Sequence, residues 1–240
     1  MNPSETELFQ AIDATWPPFA MHTKGIWTLR EGKGAGQRVS AASTVEIARE
    51  TDVEQAASFM REMGQVPLFM VRGEQPELDA LLDDQGYQIV DPVDVLMMRC
   101  DRLAEYDQPS LQVIFTKGPL AIMEEIWLDG GTDAPRLAVM DRAAEPNTCL
   151  MGRHKNRPVG VSFMGCYQDI AMVHAVEVLI SARKQGVAEA MMRGAAWWAV
   201  QQNAEWFTCL ATSENAPAQG LYRKMGMEVA AHYHYRKLVL

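Results

Sequence analysis

Val173-His174-Ala175-Val176-Glu177-Val178-Leu179-Ile180, followed by Ser181-Ala182 and then Arg183-Lys184-Gln185-Gly186-Val187-Ala188, is the stretch on which the fold turns. Its first part is apolar and rich in β-branched residues, the signature of a strand. After Gly186, residues Val187, Met191, Ala195 and Trp198 recur at three- and four-residue steps, the signature of an amphipathic helix. Between them lies a loop with a glycine at its end. A strand–glycine loop–helix unit aims several free backbone N–H groups at one point, and phosphate is the commonest anion to use such a point. Gly186 removes a side chain where the chain must come close to a ligand. Ala188 is small for the same reason, and Arg183 and Lys184 add positive charge.

Working outward, residues 206–210 predict a strand, Pro217–Met225 a helix ended by Gly226, and Met227–Leu238 one or two closing strands. Before the central unit, 111–115 predicts a strand, 120–128 a helix, and 148–152 with 159–164 a hairpin. The polar segment Asp101–Ser110 reads as a linker. In the first hundred residues, Trp27–Arg30 and Gln37–Ser43 predict strands around Gly32, Gly34 and Gly36. Asp52 is expected to cap a helix ended by Gly64. Pro67–Val71 predicts a buried strand, Glu77–Gln85 a helix ended by Gly86, and Val93–Met98 a further strand. Leu81-Leu82-Asp83-Asp84-Gln85-Gly86-Tyr87 aligns with Leu221-Tyr222-Arg223-Lys224-Met225-Gly226-Met227, which suggests an internal duplication of roughly 100-residue units.

Composition narrows the function. The 240 residues are 48% hydrophobic and 22% charged, as in a soluble globular protein. A net charge of −9 argues against nucleic acid as a partner. The four cysteines are scattered without a C-x-x-C pair, so neither a disulfide framework nor a zinc site is expected, and a cytoplasmic location fits. The first ten residues are polar and acidic, unlike a signal peptide. No apolar run nears the ~18–20 residues that span a bilayer, so no membrane partner is expected.

A second segment, Glu214-Asn215-Ala216-Pro217-Ala218-Gln219-Gly220-Leu221-Tyr222-Arg223-Lys224-Met225-Gly226-Met227, joins the first. Together they resemble the GNAT superfamily of acyl-CoA-dependent N-acyltransferases. Its Arg/Gln-x-x-Gly-x-Gly/Ala loop is matched by Arg183, Gly186 and Ala188. Its Asn-x-x-Ala-x-x-x-Tyr-x-x-x-Gly-Phe segment is matched by Asn215, Ala218, Tyr222 and Gly226, with Met227 in place of Phe. Trp16-Pro17-Pro18, residues 25–30 and His232-Tyr233-His234-Tyr235-Arg236 extend the resemblance to a bacterial subgroup with two acetyltransferase-like halves.

The resemblance implies an α/β (α+β) fold of two GNAT-like domains, each a mixed, mostly antiparallel twisted sheet flanked by helices. Residues 1–104 would form a degenerate, non-catalytic domain and residues 105–240 the catalytic one. It implies acetyl-CoA as cosubstrate, no metal, and an acceptor that is a small-molecule amine or a peptide amino group; a homodimer is compatible with it. The N–H groups from about Gln185 to Ala190, through Gly186, Val187 and Ala188, would hold the coenzyme's pyrophosphate, with Arg183 and Lys184 as cofactor-binding residues beside them. The backbone near Val176 and Val178 would pair with the pantetheine arm, and Asn215 would adjoin it. An alkyl ammonium with a pKa of ~10.4 is free amine in only about one molecule in 2,000 at pH 7, so a base is needed. His174 and Glu177 are the candidates, and Glu177 is the commoner type of base in the family. Three positions apart, they lie on opposite strand faces unless a bulge intervenes. Tyr222 would protonate the departing thiolate. In the first half no glycine precedes the helix at Asp52, Leu82 stands in the place of Tyr222, and Gln75 in the place of Asn215.

Other features have plainer readings. Gly32–Gly36 mimics a phosphate loop but is followed by no apolar helix, so a flexible hairpin turn is expected. His232 and His234 share a strand face without an evident third ligand. Trp198 follows the buried stripe, and Trp197 is expected to meet the other half. A non-catalytic acyl-CoA sensor is the competing class. A Rossmann enzyme is disfavoured because the glycine loop comes late and lacks G-x-G-x-x-G.

Overall fold

The computed structural model describes residues 1–104 and 113–238. The elements run α1 (Glu5–Thr15), β1 (Ala20–Lys24), β2 (Trp27–Glu31), β3 (Ala42–Ser43), α2 (Glu50–Glu62), β4 (Leu68–Arg72), α3 (Pro76–Asp84), β5 (Gln88–Arg99) and α4 (Cys100–Ala104). They continue with β6 (Val113–Thr116), α5 (Ala121–Asp129), α6 (Ala134–Met140), β7 (Asn147–His154), β8 (Arg157–Tyr167) and β9 (Ile170–Val178). After a 3-10 turn at Ile180–Ala182 come α7 (Val187–Gln201), β10 (Trp206–Thr212), α8 (Ala216–Lys224) and β11 (Glu228–Lys237).

Instead of two separate sheets, the strands form one eleven-stranded sheet in the order β1-β2-β3-β4-β11-β5-β10-β9-β8-β7-β6. The pairings are antiparallel except β3 with β4 and β9 with β10. The same succession occurs twice. Two antiparallel strands lead to a third, a helix crosses back to a parallel neighbour, and a further helix leads to a last strand. The last strands are exchanged: β5 lies against β10, and β11 lies against β4. The two also pair with each other from Glu228↔Met97 to Lys237↔Gln88, and so form the middle of the sheet.

Helices cover both faces. On one, α7 and α8 bury Met191, Ala195, Ala196 and Tyr222 against Leu150, Met164, Val173 and Cys209. Gly152 and Gly160 let α7 sit low, because a Cβ at either position would come within 2.9 Å of Val187. Beside this layer, α2 and α3 bury Val53, Met60 and Leu82 on Phe69 and Val71. On the opposite face α1 covers Met70, Val95 and Tyr233, while α5 and α6 cover Val161 and Phe163.

Several local expectations change. The first residues form α1, started by a Ser4–Glu7 capping box. The cap of α2 is Arg49 rather than Asp52, whose carboxylate instead accepts the Arg49 N–H at 2.9 Å. Residues 37–41 are not strand. Gln65 holds that loop, accepting from Gly32 N–H and donating to the carbonyls of Arg30 and Ser40. Ala35 and Val39 are buried with Trp16, Trp127 and Phe163, so the glycine segment is packed rather than a free hairpin turn. The linker stretch begins as α4, and its residues 105–110 lie outside the described residues. Trp197 meets Phe115 of β6.

Candidate active site

β9 and β10 run parallel and paired from Ile170↔Trp206 to Val173↔Cys209, and there the pairing stops. β9 continues to Val178 on β8, and β10 continues to Thr212 on β5. The two strands therefore part, leaving a notch edged by residues 174–178 and 210–212. At its mouth lies the loop that leads into α7.

That loop has the expected form. Lys184 and Gly186 both adopt positive φ, +60° and +80°, and Gly186 is the N-cap of α7. A side chain at Gly186 would meet nothing within 4 Å, so the requirement is conformational on one side and open space on the other. The first helical bond is Ala190 N–H to Gly186 C=O at 2.9 Å. The N–H groups of Val187, Ala188 and Glu189 thus have no acceptor within the helix. Val187 is buried under the sheet, Ala188 is half-buried, and Arg183, Lys184 and Gln185 are exposed. The Glu189 carboxylate would oppose an anion here. It is neutralised by Lys224 at 2.9 Å and Arg193 at 3.0 Å, which also hold its pKa below the ordinary value.

Strand alternation fails in β9, and that brings the two base candidates to one face. Phe163 opposes His174 and Val161 opposes Glu177, so one residue of β8 faces two of β9. This is a bulge at Ala175, whose φ is +49°. The buried indole of Trp127 donates to the Ala175 carbonyl at 2.8 Å and holds the bulge in place. Val173, Val176 and Val178 pack toward α7. His174 meets Thr15 and Trp16, and Glu177 lies over Gly130 at the end of α5, both on the other side of the sheet.

The two candidates differ in what occupies them. His174 is 3% exposed. The Thr15 hydroxyl donates to Ala11 C=O at 2.6 Å, so it accepts from His174 Nε2–H at 2.8 Å. His174 Nδ1 then accepts from Arg38 Nη1 at 3.2 Å. Burial, and next the Arg38 charge, push its pKa well below the ordinary value. Both nitrogens of the neutral imidazole are thus engaged, and they tie α1, the 32–41 loop and β9 together. Glu177 is half-buried, and its Oε1 accepts from Val178 N–H and from Arg183 Nη2, each at 3.1 Å. Gly130 is the floor beneath it, since a Cβ there would lie 2.6 Å from Oε2.

Val178 adds a second pair of groups. Leu179 N–H bonds Val159 C=O, so by antiparallel alternation the N–H and C=O of Val178 point away from β8, into the notch. Its N–H meets Glu177, and its C=O accepts from Arg183 Nε at 3.0 Å.

Tyr222 lies on α8 at 5% exposure, among Met191, Cys209 and Met227. Burial, with Cys209 nearby, pushes its phenol far above the ordinary value, so it stays protonated and able to donate at neutral pH. Asn215 is the N-cap of α8 and accepts from Ala218 N–H at 3.2 Å. α8 is pinned by Gln219, which donates to buried Asp94 of β5 at 2.8 Å. His232 and His234 each have a carboxylate of their own, Asp94 and Asp79. Among the described residues no three His, Cys, Asp or Glu are grouped to hold a metal ion, and no helix is long and apolar enough to cross a membrane. Trp127, Gly130, Arg38 and Thr15 escaped the sequence reading; of these only Gly130-Gly131 left a local signal, as a helix end.

The notch, the glycine loop and the buried tyrosine lie within one continuous segment. Residues 112–227 match the acetyltransferase (GNAT) family. The match spans β6 to α8 and includes every GNAT candidate residue discussed above. Over 232 residues the chain is 22% identical to an uncharacterized N-acetyltransferase, YobR, of Bacillus subtilis (strain 168), covering 93% of this chain and 94% of that one. In fold it is similar to a GCN5-related N-acetyltransferase from Kribbella flavida, with TM-score 0.68, 20% identity, and coverage of 96% and 94% of the two chains. It is also similar to a tandem GNAT protein from the clavulanic acid biosynthesis pathway, with TM-score 0.61, 10% identity, and coverage of 95% and 86%. The fold is thus the mixed, mostly antiparallel GNAT sheet flanked by helices.

Proposed function

We propose that this protein is an N-acetyltransferase that moves an acetyl group from acetyl-CoA to a primary amine, on a small molecule or a peptide, by direct transfer. The observation that carries this reading is the parting of β9 and β10 after Val173↔Cys209, with the Gly186 helix start at its mouth. Acetyl-CoA supplies the acyl group as a thioester. The N–H groups of Val187, Ala188 and Glu189 bind its diphosphate, and the inward N–H and C=O of Val178 orient its pantetheine arm as an added strand would be oriented. Hydrogen bonds to a charged group contribute ~1.5–3 kcal/mol each, so a few of them support micromolar affinity.

Glu177 is the base in this proposal. It removes the proton from the ammonium and leaves the amine free to attack. Tyr222, protonated at neutral pH, hands its proton to the departing thiolate and regains one from the amide nitrogen as the new bond forms. Residues 105–240 form the catalytic domain. Residues 1–104 form a degenerate copy that lends β5 to the central sheet and closes the acceptor side with the 32–41 loop. All four cysteines are free and buried, which suits a reducing cytoplasm.

The test is calorimetry with acetyl-CoA, followed by an amine panel read out by thiol release. Saturable binding with release from at least one amine supports the reading. Tight binding with no release from any amine would replace it with a coenzyme sensor, and absence of heat would end both.

A further inference from the structure

Three groups that the proposed reaction needs are tied together by two side chains, Arg183 and Glu177. Arg183 donates Nε to the Val178 carbonyl at 3.0 Å and Nη2 to Glu177 Oε1 at 3.1 Å. The same Oε1 accepts the Val178 N–H at 3.1 Å. The inward N–H and C=O of Val178 are therefore both engaged, one by the base and one by the arginine. Glu177 has little room to retreat, because Gly130 lies directly under its carboxylate. Arg183 does have room, since its side chain is 56% exposed against 21% for Glu177.

We propose that Arg183 is a coupling residue: it closes the notch over Glu177 and Val178 in the free protein, and coenzyme binding draws it onto the diphosphate, which releases the base and the strand edge together. This rests on the acetyltransferase reading and adds the order of events within it. Arg183 stands three residues before the N-cap Gly186, so its guanidinium has two anionic destinations, the Glu177 carboxylate and the phosphates at the start of α7. A guanidinium forms forked bonds with either, and two phosphates offer more charge than one carboxylate. Once Arg183 has moved, Glu177 loses its cationic partner and Val178 regains a free C=O. An amine arriving before the coenzyme would meet a base already held by a cation.

The proposal can be tested without knowing the amine. Acetyl-CoA affinity is measured by calorimetry on the wild type, Glu177→Gln, Arg183→Met and the double variant. If Arg183 must leave Glu177 for the coenzyme to bind, weakening its hold tightens acetyl-CoA by about two- to fivefold, the range of a partly exposed ion pair. In the Arg183→Met background the same change has no effect. An equal factor in both backgrounds reports only general repulsion between Glu177 and the phosphates, and overturns the proposal. If Arg183→Met binds too weakly to measure, a crystal structure of the wild type with acetyl-CoA decides. Arg183 Nη2 more than 4 Å from Glu177 is the expected result, and a bond retained at its present length overturns it. Measurable acetyl-CoA binding without coupling leaves the acetyltransferase reading standing, whereas absence of heat from all four proteins removes both.

Discussion

The two halves of the sheet each contain a place where a strand crosses through a helix to a parallel neighbour, and only one of those places is open. In the second half β9 and β10 part, and Asn215 uses its amide on its own helix, accepting from Ala218 N–H. In the first half β3 and β4 meet at Ala42↔Phe69. There the residue in the position of Asn215 is Gln75. Its Oε1 accepts from Arg72 N–H at 3.0 Å and its Nε2 donates to Thr44 C=O at 2.7 Å, so its side chain bridges the gap. The helix starts differ in the same sense. α7 begins at a glycine with positive φ and leaves its first N–H groups without helical acceptors, whereas α2 begins at Arg49, and Asp52 and Glu50 fill its first turn with negative charge. Leu82, fully buried, occupies the place of Tyr222. A few side chains thus separate an open notch from one that is closed by the chain itself.

The sharpest break of this comparison is Glu177→Gln. Turnover is expected to fall by about 10²- to 10⁴-fold, while His174→Gln, whose amide still offers a donor and an acceptor, changes it less than about threefold. Steady-state kinetics on an accepted amine checks both, and equal losses would return the base role to His174. Next, Tyr222→Phe keeps the packing and is expected to lower kcat by roughly tenfold to a thousandfold with little change in acetyl-CoA affinity. Gly186→Val is expected to weaken acetyl-CoA binding by about tenfold or more, or ~1.4 kcal/mol. Asp52→Ala at the other helix start should leave binding unchanged, and calorimetry separates the two.

A smaller effect concerns pH. The folded pKa of His174 lies below its ordinary 6.5, so between those values the unfolded chain binds the extra proton. Stability contributed by the neutral ring is complete above pH 6.5 and is lost as pH falls, by up to about 1.4 kcal/mol per pH unit. Thermal melts from pH 7.5 to 5.5 should show a steeper decline in the wild type than in His174→Gln. The smallest expected effect is that of Gln75→Ala, which removes the bridge in the closed half. It is expected to cost about 1–2 kcal/mol in denaturant unfolding and nothing in acetyl-CoA affinity. A variant that gains a second coenzyme site would mean that the plug alone separates the halves.

Much of the second half was legible because its signals are local. The β9 pattern, Gly186, the stripe on α7 and the Pro217–Gly226 limits of α8 each depend on residues within one or two turns of each other. The Ser4–Glu7 capping box of α1 is equally local, within a stretch whose composition reads only as polar and acidic. The expected strand at 37–41 is instead a loop, in which Gln65, some way along the chain, claims the Ser40 carbonyl.

What the sequence by itself determined is the succession of elements and the residue types at the notch. Backbone conformation and helix capping act over a few residues, so they are written where they occur. The tertiary structure alone decided what surrounds each base candidate. Thr15 stands 159 residues from His174, and Arg38 stands 136 from it. The bulge that turns Glu177 to the same face depends on an indole N–H 48 residues before Ala175. The exchange of β5 and β11 was likewise invisible, because either strand suits either place until the whole sheet is assembled. Hydrogen bonds and ion pairs formed across such separations are satisfied only by the completed fold, and no local pattern records them.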